Sequence, residues 1–317
     1  MLADKERELS GNILERFKTE GPFGSVPRLV GDYEVDVGQY SAFWLEQADW
    51  LAQLPSKAKR SAAQEADAKI ILEVTRRARG AFLSRHVETL YRKLTSDFTI
   101  KLRLEDIVTV TSDLVPGLVP SQETLVAESQ LDQKDKDGHE VDHGILLSAI
   151  LGDEKCGLDL CHSMLLPKSQ SIELVEEFSQ SGKVDLGTAI VERRGKVSTL
   201  WFNNPRHLHA EDESTLHELE VAADLALLDP KTEIVVLRGS RIETGKYAGR
   251  RVSNAGINLT HLYRGKISFL WYVIRDMGFV NKMFRGLAFP DTAPERLDSD
   301  TLEKPWIGTV ETFAIGG

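Results

Sequence analysis

Cysteine is scarce. The chain carries only Cys156 and Cys161, with His162 beside the second, and no CxxC pair or further ligand pair joins them. A disulfide framework and a structural zinc site are set aside, and two reduced thiols of a cytosolic protein are expected. An export signal is lacking too: the N-terminus, MLADKERELS, is charged at once and has no apolar h-region. The longest apolar runs, near Gly144–Gly152 and Ile267–Ile274, fall short of the ~18 residues of a membrane span. A cytoplasmic location without a membrane partner follows as the expectation, and the sequon at Asn258-Leu259-Thr260 is expected to be idle. Excess positive charge is also missing. The net charge of −10 gives no overall attraction to nucleic acid, although it leaves room for a local basic site facing a phosphorylated ligand.

What is there fits a globular chain: 41% hydrophobic and 28% charged residues over 317 positions. At about 100–200 residues per domain, two domains are expected. Residues 1–185 read as mainly helical. In Ala66–Leu94, Ile70, Ile71, Val74, Ala78, Ala81 and Phe82 recur at three- and four-residue steps, and Val87, Leu90 and Leu94 continue them. Arg76, Arg77, Arg79, Arg85, Arg92 and Lys93 decorate the same stretch, either as an anion-binding face or as a solvated helix face. Pro116 and Pro120 break the chain, and Gln130–Asp142 reads as a surface loop. His139 and His143 stand four apart, but no HExxH pattern completes a metal pair.

The texture changes near residue 186. Thr188–Arg193 and Lys196–Asn203 are β-rich runs around Arg194-Gly195, a hairpin signal. Glu211–Leu228 has helical spacing and ends at Asp229-Pro230. Glu233–Leu237 reads as a strand, Ile267–Leu287 as helical and Trp306–Val310 as a strand. Residues 186–317 are thus expected to form an α/β domain.

Three segments carry chemistry. RRVSNAGINL at Arg250–Leu259, FAIGG at Phe313–Gly317 after EKPW, and RHLHAEDE at Arg206–Glu213 stand in this order. With AADLALLDP and IRDMG between them, they resemble the crotonase superfamily, and in particular its cofactor-independent dioxygenase branch acting on (3,5-dihydroxyphenyl)acetyl-CoA. The helical extension ahead of the hairpin resembles that branch as well. More weakly, so do PGLVP at 116–120, HEVDHGILL at 139–147 and the approach to the hairpin.

The resemblance implies an α/β crotonase-like (ClpP/crotonase) core, incomplete here, preceded by a helical N-terminal domain. It implies that the main-chain N–H groups of Ile257 and Gly317 form an oxyanion hole. Ala210, Ala255, Gly256 and Gly316 flank these donors along the acyl-CoA arm. Glu211 would contact a ring hydroxyl, the alternative being a first-turn acid that favours the helix dipole. Arg275 would lie near the aryl group, or be a surface or salt-bridge arginine. Arg250 and Arg251 would meet CoA phosphates, or solvent. No metal or flavin is implied, so the HxHxE string of His207, His209 and Glu211 is not expected to hold a metal. His209 stands where the superfamily commonly has Asn, which touches the detail of the CoA or aryl contact.

The chemistry is coherent. A thioester that loses its α-proton places negative charge on its oxygen, and loss of one N–H donor aimed there costs about 100- to 1000-fold in rate. Glycine-rich backbone lets an amide approach without a side chain in the way. The branch then lets the carbanion react with O2 and the peroxide attack the thioester, giving an arylglyoxylate and CoA, within dihydroxyphenylglycine (nonribosomal peptide antibiotic) biosynthesis. Trimers or hexamers are implied. Because the sequence ends at the second of three expected glycines, the expectation is a C-terminally truncated chain, inactive and poorly stable by itself. Another crotonase activity (hydratase, isomerase or thioesterase) and a non-catalytic partner subunit are the rival expectations.

Overall fold

A computed structural model describes residues 26–316. Gly317, expected as an oxyanion donor, lies outside the described residues. The chain divides into two compact units, one ending at Leu160 and the other starting at Cys161.

The first unit is helical. Its main elements are α1 (Tyr33–Ala52), the long α2 (Ala62–Leu94), α3 (Leu104–Leu114), α4 (Gln122–Ser129) and α5 (Val141–Gly152); α6 (Glu154–Leu165) crosses the division. A capping box starts α2: the Gln64 N–H donates to Ser61 Oγ, and the Ser61 N–H donates back to Gln64 Oε1. Its buried residues Ile71, Ala78, Phe82 and Leu90 keep the expected helical spacing. Phe82 packs its ring 5.5 Å from Tyr40 and 5.6 Å from Trp44.

Five of the six basic residues named in α2, all but Arg85, meet carboxylates among the described residues. Arg76 and Arg79 both reach Asp142, Arg77 pairs with Glu73, Arg92 meets Glu88 and Asp97, and Lys93 meets Glu34. This favours the plain helix face over the anion-binding one. Among the described residues, no group of three or more His, Cys, Asp or Glu could hold a metal ion. No helix there is long and apolar enough to cross a membrane.

The second unit contains a five-stranded mixed sheet in the order β1-β2-β3-β4-β7. Its strands are β1 (Lys183–Asp185), β2 (Ala189–Arg194), β3 (Val197–Phe202), β4 (Ile234–Gly239) and β7 (Trp306–Gly308); β5 (Leu287–Ala288) and β6 (Thr301–Leu302) form a separate ribbon. The first three strands run antiparallel, while β3, β4 and β7 run parallel. Arg194 opposes Val197, so Gly195 and Lys196 form a two-residue hairpin loop, with Gly195 at φ 61° as such a tight turn requires. α7 (Ser169–Ser181) and α8 (Glu213–Leu228) pack on the sheet, α8 being the crossover from β3 to β4. Phe178, Val191, Leu200, Leu219, Ala223, Val235 and Phe279 share one core there.

A helical part followed by a mixed sheet matches the expected order. The expected boundary after residue 185 differs from the observed division, because α7 buries Phe178 in the sheet core rather than among helices.

Beyond β4 the chain forms α9 (Leu259–Tyr263), then α10 (Phe269–Arg275), a π-turn at Asp276–Val280 and α11 (Asn281–Arg285). A buried ionic cluster anchors this stretch on α8: Lys282 Nζ lies 2.7 Å from Glu220 and 2.8 Å from Asp224. Gly278 allows the close approach, since a Cβ there would stand 2.9 Å from the Glu220 carboxylate.

Candidate active site

The end of β3 leads into a tight descent. Leu208 and His209 both adopt left-handed backbone, at φ 54° and 61°. His209 compensates by bonding at both ring nitrogens: Nδ1 accepts the Asn204 N–H at 3.0 Å, and Nε2 donates to the Ser240 carbonyl at 3.0 Å. That fixes a neutral tautomer, and burial holds its pKa below the ordinary histidine value, only partly offset by the Ser240 bond. His209 is thus a structural clasp between the segments after β3 and β4. Ala210, beside it, is buried, and its carbonyl accepts from the Asn204 amide at 3.3 Å.

Glu211 and Ile257 form an isolated parallel bridge. The Glu211 N–H donates to the Gly256 carbonyl at 2.8 Å, and the Asn258 N–H donates to the Glu211 carbonyl at 2.8 Å. Successive main-chain groups of an extended segment point to opposite sides. Gly256 C=O and Asn258 N–H therefore face Glu211, and the Ile257 N–H faces away. Among the described residues, the Ile257 N–H makes no hydrogen bond. Beneath it, the Ile257 side chain packs on Leu216, Ile267 and Trp271.

The second expected loop runs beside the first. The Ser253 N–H donates to Phe313 O at 3.1 Å, and the Ile315 N–H to Asn254 O at 2.9 Å. Gly256 sits at φ 77°, and a Cβ on it would stand 2.3 Å from Ile315 O and 3.7 Å from the Gly316 Cα. Glycine at 256 is what lets the two strands of backbone touch. Ala255 completes this strip between Asn254 and Gly256. Sequence segments some sixty positions apart are thereby juxtaposed.

The Glu211 side chain is buried and does not belong to a helical first turn. The helix starts at Glu213, with Asp212 as its N-cap, so the helix-dipole alternative for Glu211 falls. Its carboxylate instead accepts Arg275 Nε at 2.7 Å, Arg275 Nη2 at 3.1 Å and the Asn254 amide at 2.6 Å. Burial lowers the Arg275 pKa, but the bonds to Glu211 outweigh it and the net displacement is upward. Arg275 thus pairs with Glu211, and its Nη1 donates to Asp276 Oδ1 at 3.2 Å.

Arg250 is exposed, and among the described residues its side chain makes no ion pair. Arg251 stacks over Trp201 at 4.9 Å, with Arg238 over the same ring at 5.3 Å, and Glu311 bridges both cations. Burial and the neighbouring Arg238 and Arg241 charges hold the Arg251 pKa below the usual arginine value. Arg241, Arg250, Arg251, Glu311 and Thr312 line a cleft of about 430 Å³.

Sequence reasoning missed three groups. Asn254 is the third partner of Glu211. Asn258, whose sequon looked idle, is buried and caps α9 by accepting the His261 N–H at 3.2 Å. Asp212 meets His261 Nδ1 at 2.8 Å. The signal for the last two was present in the Asn-x-x-His spacing, an N-cap pattern directly after AGI.

No protein-family profile matches the chain. Part of the chain is similar to an enoyl-CoA hydratase: it is 28% identical over 135 residues, 42% of each protein, to the short-chain-enoyl-CoA hydratase of Clostridium acetobutylicum. Solved enoyl-CoA hydratase/isomerase structures from Xanthobacter autotrophicus Py2 and Mycobacterium paratuberculosis overlap 23% and 25% of the chain (24% and 27% of their own), at 25% and 26% identity and TM-scores of 0.19 and 0.20.

More particularly, the chain is 38% identical over 265 residues, 83% of its length, to the (3,5-dihydroxyphenyl)acetyl-CoA 1,2-dioxygenase of Amycolatopsis orientalis. The resemblance to that branch, drawn above from AGINL, HAEDE and FAIGG, is borne out. The chain spans 60% of the length of this dioxygenase and 42% of that of the hydratase.

Proposed function

We propose that this chain carries the acyl-thioester site of a crotonase-like dioxygenase. The reaction is oxidation of (3,5-dihydroxyphenyl)acetyl-CoA by O2 to (3,5-dihydroxyphenyl)glyoxylate and CoA, without metal or flavin. One observation carries the reading: the Ile257 N–H, unpaired among the described residues, points away from the Glu211 bridge beside the Gly316 backbone.

In this reading the Ile257 amide donates to the thioester oxygen as negative charge develops there. By the resemblance, Gly317, which lies outside the described residues, supplies the partner amide. Ala210, Ala255 and Gly256 wall the acyl arm. Glu211 orients a ring hydroxyl: among the described residues its Oε2 accepts only Arg275 Nε, which leaves a lone pair free. The cleft of Arg241, Arg250 and Arg251 suits the phosphates of CoA. Electron flow closes on the substrate. The α-carbanion reduces O2 to a peroxide on the α-carbon, the outer peroxide oxygen attacks the thioester carbonyl, and the C–S bond breaks to release CoA as its thiolate. The O–O bond then breaks as the second α C–H bond gives up its proton, which leaves the ketone and carboxylate of the arylglyoxylate.

A second reading is hydration of a short enoyl-CoA, supported by the hydratase relative. An oxygen electrode separates the two. With (3,5-dihydroxyphenyl)acetyl-CoA in air, the dioxygenase reading predicts oxygen uptake above the uncatalysed rate, against the inactivity expected from the sequence, and Ile257→Pro, which deletes the N–H, should lower it about 100- to 1000-fold. Hydration of crotonyl-CoA without oxygen uptake would overturn the dioxygenase reading.

A further inference from the structure

We propose that His261, oriented by Asp212, is the base that removes the α-proton of the bound thioester; this rests on the acyl-thioester reading of the site. Glu211 and Asp212 are consecutive residues of an extended segment, so their side chains leave on opposite faces. Glu211 turns to Arg275 and Asn254, and Asp212 turns to α9.

Asp212 is buried and surrounded by donors. Its Oδ1 accepts the Ser214 N–H at 3.0 Å and the Ser214 hydroxyl at 2.6 Å. Its Oδ2 accepts the Asn258 amide at 2.9 Å and lies 2.8 Å from His261 Nδ1. A carboxylate in this setting requires a proton on Nδ1, which leaves the lone pair on Nε2. Nε2 makes no hydrogen bond among the described residues, and the side chain is 39% exposed, so a ligand can reach it. A base oriented by a buried acid, with its other nitrogen open, is the arrangement that general-base catalysis needs.

Asn258 links this pair to the oxyanion donor. Its N–H holds the Glu211 carbonyl, its Oδ1 caps the His261 N–H, and its Nδ2 holds Asp212. It directly follows Ile257, so one residue fixes both the amide that would receive the negative charge and the imidazole that would take the proton. Among the described residues, the other titratable group against the ring is His207, whose ring centroid lies 5.7 Å away.

The step balances. The α C–H bond breaks, its electron pair moves through the C–C bond onto the thioester oxygen at the Ile257 N–H, and the proton forms an N–H bond at Nε2. Asp212 stays ionised and stabilises the imidazolium; it is a positioning residue.

The test uses the full chain without oxygen, in deuterated buffer, with (3,5-dihydroxyphenyl)acetyl-CoA; α-deuterium uptake is read by mass spectrometry and thioester affinity by calorimetry. His261→Ala should slow exchange by about 100-fold or more while affinity holds, and added imidazole should restore part of the rate. Asp212→Asn should slow exchange by about tenfold or more. Exchange in His261→Ala within about threefold of the unchanged chain, at equal affinity, overturns the assignment. So does an unchanged chain that binds the thioester but exchanges no faster than buffer, which would leave the thioester site standing. Absence of thioester binding overturns the site reading and the base together.

Discussion

Arg275 grips Glu211 through two guanidinium nitrogens, Nε to Oε2 at 2.7 Å and Nη2 to Oε1 at 3.1 Å, with both side chains largely out of solvent. Removing one member of such a pair strands the other charge, which costs about 3–5 kcal/mol. Glu211→Leu and Arg275→Leu should each lose that much in urea unfolding, and the double variant should lose less than the sum. Strict additivity would show that the two side chains do not interact in solution.

Lys282 is fully buried between Glu220 and Asp224. Burial pushes the Asp224 carboxyl up, and Lys282 pulls it back only in part. Lys282→Met keeps the shape and removes the cation, so a loss of about 3–5 kcal/mol is expected. Because the cluster anchors the stretch that carries Arg275, thioester affinity should fall with it. A stability change below about 1 kcal/mol would contradict this account of the cluster.

Two glycines separate strain from collision. Gly249 and Gly256 both have positive φ, but a Cβ at Gly249 meets nothing within 4 Å, whereas one at Gly256 meets Ile315 O at 2.3 Å. Gly249→Ala should cost about 1 kcal/mol from backbone strain alone. Gly256→Ala should cost more than Gly249→Ala and should loosen residues 313–316, read as faster amide exchange at Ile315. Equal costs with unchanged exchange would mean that the two segments do not touch.

Acid sensitivity has a defined direction. The His209 pKa is lowered from 6.5, so the folded state keeps this ring neutral where the unfolded chain takes up a proton. Its contribution to stability is whole above about pH 6.5 and is lost as pH falls below that. Asp212 acts at lower pH: burial opposes ionisation, but the Ser214 and Asn258 bonds and His261 hold its carboxyl below the usual range. Its contribution is whole above about pH 4 and is lost below. Nuclear magnetic resonance checks the first claim directly, since the His209 ring signals should remain in their neutral positions at pH 6.5. Half-titration there would refute it.

The elements were legible where one force dominates. The apolar spacing in Ala66–Leu94 and the Arg194-Gly195 turn mark α2 and the hairpin because periodicity and turn chemistry act locally. The domain edge was harder to read. Ser169–Ser181 looks like any amphipathic helix, and only the burial of Phe178 against the sheet assigns it. The site divides the same way. AGINL and FAIGG mark backbone by their glycines, whereas the Glu211–Arg275 and Asp212–His261 pairs join residues 64 and 49 positions apart. Such pairings are set by tertiary packing, and the Asp212 cap also displaced the helix start that would have explained Glu211 away.

The most direct measurement is a crystal structure of the chain with a non-reactive amide analogue of (3,5-dihydroxyphenyl)acetyl-CoA, in which nitrogen replaces the thioester sulfur. The acyl oxygen should sit about 2.7–3.1 Å from the Ile257 nitrogen, with a ring hydroxyl on Glu211. An acyl group bound elsewhere, with the Ile257 N–H turned to protein or solvent, would contradict the proposed site.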